Sequence, residues 1–194
     1  MEARSIKKLL GSWLLLGLAG VLPAEASEPV LLPTAPLSVH VYNFAHAPAA
    51  TVARAEKEAA RILKEAGIES TWIDCPLTSA EMDTVPACRE TGPTKLTLRI
   101  ILEAAASLKK EMLGFALPAP DGAIHASVFY SRVLDLAAGR VASGAQILGI
   151  AAAHEIGHLL LGLEKHSATG LMRAQWTLSD LQLATVEQLR FSKP

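Results

Sequence analysis

The sequence predicts an α/β (α+β) domain: a twisted, mostly parallel sheet of about four strands with helices packed on it, then a strongly apolar helix and an amphipathic closing helix. Three observations lead there. Runs that alternate in polarity and favour Val, Ile and aromatics change places with runs of helical period through the first half of the chain, which is the pattern of strand–helix–strand units. With 194 residues, 51% of them hydrophobic and 19% charged, the chain suits one buried core rather than several. No segment is repeated or of low complexity, so a solenoid does not compete.

Each element is justified by its own residues. "LSVHVYNFA", 37–45, alternates and is rich in Val and aromatics, so it reads as the first strand. "APAATVARAEKEAARILKEAG", 47–67, is a helix whose Val52, Ala55, Ala59, Ile62, Leu63 and Ala66 share one face and whose end is marked by Gly67. "IESTWIDC", 68–75, is a second strand that delivers Cys75 to a turn at Pro76. The stretch 76–93 carries Pro76, Pro86, Gly92 and Pro93 without a period and reads as a long surface loop. "TKLTLRIIL", 94–102, is a third strand, "EAAASLKKEML", 103–113, a short helix, and "GFALPAPDG", 114–122, a set of turn signals. "AIHASVFYSRV", 123–133, is a fourth strand that turns helical towards "LDLAAG". The apolar helix runs from about Gln146 to Leu161, and "TLSDLQLATVEQLR", 177–190, closes the chain as a helix capped by Thr177 or Ser179.

The first residues bear on compartment. "MEARSIKK" is a short basic start, and "LLGSWLLLGLAGVL" has the length of a signal-peptide core. Pro23 breaks the run, and Ala24 and Ala26 stand where a signal peptidase reads small residues. A signal peptide over 1–26, cleaved after Ala26, leaves a single domain over 27–194 that is secreted or periplasmic. The apolar run is too short to span a bilayer comfortably, so no stable membrane span is expected after cleavage; an uncleaved N-terminal anchor is the alternative. In an exported chain the two cysteines, Cys75 and Cys88, read as a disulfide that staples the 76–93 loop. Free thiols and metal ligands are the alternatives. The 18 basic and 19 acidic side chains balance and form no basic block, which argues against a nucleic-acid partner.

Function concentrates in "HEIGHLLLGLEKHSATGLM", 154–172. Two histidines and a glutamate stand in one of the most apolar runs of the chain, where an unpaired charge is costly. His154 and His158, four apart on a helix, project from one face about 6 Å apart along the axis. Both can reach one zinc ion, and Glu155 can contact a water beside it as general base. The bland alternative, three polar side chains on a solvated helix face, fits badly with neighbours that are apolar or glycine. A catalytic zinc wants a third protein ligand and an open position. Gly162 stands at a natural helix end, and His166 comes after it, where the chain can turn back under the helix. Glu164 and Glu187 compete for that third position.

This stretch resembles the metzincin clan of zinc metallopeptidases, whose pattern is H-E-x-x-H-x-x-G-x-x-H followed by a methionine-bearing turn. The resemblance implies a zincin-like fold, Zn2+ held by His154, His158 and His166, and Glu155 as general base. It also implies a helix-ending turn at Gly162 and a hydrophobic floor beneath the metal at Met172, within "SATGLM". In this chain three residues rather than two separate His158 from Gly162 and Gly162 from His166, so the loop is two residues longer than the clan's. Together with "TWIDCP" and Trp176, the motif is also similar to small exported bacterial proteins grouped as candidate metallopeptidases, a likeness that covers most of the expected mature chain. The resemblance thus implies an exported zinc endopeptidase acting on a peptide or protein substrate. A non-catalytic zinc-binding module that recruits a partner and a zinc amidase acting on cell-wall peptides are the rivals. Glu155 speaks against the module, because binding alone does not require it.

Other polar and aromatic residues read more simply. His125 is an exposed strand histidine that could face substrate, and Tyr130 a core or rim tyrosine with a hydroxyl available to an oxyanion. His40 and His46 flank the first strand and are not expected to bind metal. Trp176 follows the methionine-bearing turn and could shape a substrate pocket, but reads more simply as core packing.

Overall fold

The computed structural model describes residues 35–118, 124–163 and 165–192. The expected signal peptide, with its cleavage site after Ala26, lies outside them, as does Glu164. Strands β1 (Leu37–Asn43), β2 (Ser70–Cys75), β3 (Lys95–Ile101), β4 (Gly114–Pro118) and β5 (Ile124–Phe129) form one sheet in the order β2-β1-β3-β5-β4. All neighbours are parallel except β4, which runs antiparallel to β5 at the edge. The helices are α1 (Ala49–Glu65), α2 (Ser79–Met82), α3 (Tyr130–Ala138), α4 (Gly144–Leu161) and α5 (Leu178–Thr185). The sheet therefore has five strands where the sequence suggests about four.

Register lines up one apolar face. Val39 lies beside Leu96, Val41 beside Leu98, Leu98 beside Ala126 and Ile100 beside Val128, and all are buried. Against this face pack α1 and α4. The α1 residues expected to face the core, Val52, Ala55, Ala59, Ile62 and Leu63, are buried there, and Ala66 packs at its margin. Glu58 is buried with them because Arg61, one turn on, holds its carboxylate at 2.7 and 3.0 Å. Helix α4 is apolar on all sides and buried from Ile147 to His158, as expected of a helix enclosed by other elements. Its start explains the polar Gln146 in the first turn: the Ser143 hydroxyl accepts from Gln146 N–H while the Gln146 side chain accepts from Ser143 N–H.

Three elements differ from the expectation, each for a physical reason. Residues 114–118 form edge strand β4 rather than turns. Phe115 and Leu117 alternate with Gly114 and Ala116, and Pro118 is tolerated where an edge strand ends. Residues 103–113 form no helix. Most are exposed, so a helix there would bury no apolar face, and propensity alone does not hold so short a segment. Instead Arg132 on α3 donates to the carbonyls of Lys109, at 2.7 Å, and Met112. The closing helix stops at Thr185, five residues early. Glu187 takes a left-handed φ of 57°, and the turn carries Leu189 into the core. Thr177 is its cap, with Asp180 completing the reciprocal pair.

The β2–β3 connection contains α2 and a 3-10 turn at Pro86–Arg89, and Cys75 and Cys88 are joined across it. Among the described residues no helix is long and apolar enough to cross a membrane. A loop closed over a separation of 13 residues contributes about 3 kcal/mol by restricting the unfolded chain. The Cys75→Ser/Cys88→Ser double variant should lose stability of about that size in urea unfolding. An unchanged midpoint would mean the bridge constrains nothing.

Candidate metal centre

The second half of α4 places His154, Glu155 and His158 almost out of solvent, at 9%, 6% and 6% exposure. His154 Nδ1 donates to the Leu171 carbonyl at 2.8 Å, which fixes the tautomer and leaves Nε2 with a free lone pair. That Nε2 lies 3.0 Å from His158 Nε2. The exposed His166 ring stands against both, with centroids 5.6 Å from His154 and 4.7 Å from His158. One nitrogen of each ring falls within 4.8 Å of the other two. The three histidines singled out in the sequence thus converge and can hold a metal ion.

Local backbone brings His166 there. Gly162 ends α4 at φ 112°, a conformation that side-chain-bearing residues rarely adopt, while its N–H still bonds to His158 O at 3.0 Å. Lys165 N–H then bonds to Gly162 O at 3.1 Å, which keeps Lys165 close to the helix end. Beyond it the chain runs back under α4. Ser167 N–H bonds to Met172 O, and Leu171 N–H bonds to Arg190 O, both at 2.8 Å. The Ser167 and Ser192 hydroxyls both donate to Thr169 O at 2.6 Å. Met172 is buried, and a Cβ added to Gly157 would stand 2.6 Å from its sulfur. Glycine at 157 is what lets Met172 and the Phe191 ring approach α4 this closely between His154 and His158.

Electrostatics prepare the rings for a cation. Burial pushes His154 down to about 4, aided by His158 and His166 and opposed by its bond to Leu171. His158 is lowered as well, by burial first and then by His166, with the Gly162 backbone acting the other way. Both are neutral at pH 7, the form that binds metal without first losing a proton. Burial alone pushes Glu155 up to about 8. Among the described residues no hydrogen bond or ion pair reaches its carboxyl. Three imidazole nitrogens suit a divalent transition metal and not calcium or magnesium, which take oxygen.

These groups open into a cleft of about 410 Å³. One wall is α4, one is Leu113–Ala116 at the start of β4, and the third is Ala174–Trp176. Glu187, the distant competitor for the third position, is exposed and lies 3.9 Å from Arg61 on α1, away from the triad. His125 sits on the sheet face opposite Ala126, outside the cleft lining, and Tyr130 is buried at the start of α3. His40 is fully buried beside Ser38, and His46 occupies a turn after β1. Trp176 packs against the core as expected, but it also lines the cleft and donates to Leu171 O, a link with no signal in the sequence. No protein-family model matches the chain, and no curated protein matches it either.

The unpaired carboxyl makes a testable demand. Glu155 ionises near 4.5 when exposed but near 8 in the fold. The metal-free fold therefore keeps a proton that the unfolded chain has released, and stability falls as pH rises between those values. At pH 7 this is at most about 3 kcal/mol. Metal-free Glu155→Gln should resist urea better than wild type at pH 7, with the gap closing by pH 4. Equal stability at pH 7 would contradict a buried, unpaired Glu155.

Proposed function

We propose that the protein is an exported, zinc-dependent peptide-bond hydrolase of the metzincin type. The observation that carries this reading is the Glu155 carboxyl, buried beside three converging histidines in an apolar cleft and without a hydrogen-bond or ion-pair partner among the described residues. A module that only binds metal has no use for a buried acid so placed. The all-imidazole donor set supports zinc among the transition metals, with one position left for substrate or water. The disulfide and the basic–apolar N-terminal sequence support export.

Zinc bound at the triad would act as a Lewis acid, acidifying a water and polarising a peptide carbonyl. The chain's own residues supply the rest. Glu155 takes the proton that the attacking water loses and passes it to the leaving amine. The bond to Leu171 O holds His154 in the tautomer that offers Nε2. Among the described residues β4 pairs with β5 alone, and its first residues line the cleft, so its outer edge can present backbone groups there. An extended peptide adding to that edge would be held by main-chain hydrogen bonds with a carbonyl above the triad. Glycine at 114 is what lets β4 lie this close to the base: a Cβ there would stand 2.3 Å from Ser127 O and 2.8 Å from Glu155 Oε1. An edge left unpaired among the described residues favours internal cleavage of polypeptides over an amidase pocket.

The mature protein should cleave members of a broad peptide library, stop in the presence of a zinc chelator and recover when zinc is returned. Glu155→Gln should keep its metal while kcat/KM falls about 10²- to 10⁴-fold. His154→Ala and His158→Ala should each lose most of the metal. A zinc-loaded wild type that cleaves nothing in the library, or a Glu155→Gln variant as active as wild type, would contradict the proposal.

A further inference from the structure

The carbonyl of Leu171 accepts two hydrogen bonds, one from His154 Nδ1 at 2.8 Å and one from Trp176 Nε1 at 3.0 Å. A carbonyl oxygen has two lone pairs, so both are occupied by protein and none by water. On its other side the same residue is fixed by the bond from Leu171 N–H to Arg190 O at 2.8 Å, and its side chain is fully buried. The Trp176 ring stands nearly perpendicular to the His154 ring, at 87° and 5.7 Å between centroids. One indole therefore does two things to one imidazole. Its N–H steadies the acceptor that orients His154, and its ring limits how far His154 can turn.

We propose that Trp176 is a positioning residue for the metal: by sharing the Leu171 carbonyl it sets the orientation of His154 and couples that ligand to the wall of the cleft. The inference rests on reading the histidine triad as a metal centre. It goes beyond that reading because Trp176 is no ligand and touches the metal only through His154. A tryptophan that merely filled the core would support the fold and leave the properties of a bound ion alone. A group that orients a ligating histidine changes metal affinity, typically by 10- to 100-fold when removed.

Trp176→Phe keeps a ring and deletes the N–H. In the mature protein, zinc affinity measured against a chromophoric chelator should weaken by about tenfold, and the visible absorption bands of the Co2+-loaded form should shift. Unchanged or tighter zinc binding with an unchanged Co2+ spectrum would overturn the proposal while leaving the metal centre standing. A wild type that binds neither ion would overturn both. Wild-type protein labelled with 15N provides a second readout that needs no variant to fold. Adding zinc should move the Trp176 indole N–H resonance and leave that of Trp72, which donates to Ser70 Oγ at 3.0 Å, in place. A Trp176 resonance indifferent to bound zinc would refute the link.

Discussion

The hydrogen bond from His154 Nδ1 to the Leu171 carbonyl joins the two halves of the site. One half is α4, rigid, apolar and enclosed by α1 and the sheet. The other is the irregular run from Gly162 to Trp176, which has little regular structure of its own. Without a tie to α4, that run has no reason to pass beneath the helix. With it, Leu171 and Met172 become part of the core, and the backbone between them and Gly162 has a fixed distance to cover. His166 lies on that span and is brought to the other two rings. The C-terminal turn at Glu187 serves the same end, because it returns Arg190 to hold Leu171 from below. The fold of the last thirty or so residues amounts to a means of fixing one carbonyl.

A second constraint is desolvation. Two imidazoles and a carboxyl are placed where water would ordinarily be their partner, and the fold offers only one of them a strong substitute. Burial keeps His154 and His158 neutral and Glu155 protonated in the metal-free protein. A divalent ion at the triad would relieve all three at once: the lone pairs would gain a partner, and a nearby positive charge would favour the carboxylate. Under the proposed function, metal binding would be linked to stability as well as to chemistry.

The parts of this arrangement that are legible in the sequence are those governed by local pattern. The α1 face, the four strands β1, β2, β3 and β5 and the approximate length of α4 come from periodicity and composition. The spacing of His154 and His158 is a property of any helix. The cysteine pair, too, is legible from its number and context. Where tertiary contacts decide, the pattern misleads. The alanine-rich 103–113 stretch has helical propensity but nothing to pack against, while Arg132, distant in sequence, holds its carbonyls. Strand β4 is short and carries a glycine, an alanine and a proline, so its alternation is faint. It exists because β5 offers an edge to pair with. The shared carbonyl of Leu171 has no sequence signature, since backbone acceptors look alike in every chain. Gln146 gives the opposite lesson: a polar residue at the start of an apolar run completes the capping box with Ser143.

The central claim is that the three histidines hold one zinc ion while Glu155 stays out of its coordination. X-ray absorption at the zinc edge of the mature, zinc-loaded protein reads this directly. The account predicts four-coordinate zinc with three imidazole nitrogens at about 2.0–2.1 Å and one further light atom, unchanged in Glu155→Gln. A shell containing sulfur, a shell with fewer than three imidazoles, or one that alters when Glu155 is replaced would contradict it.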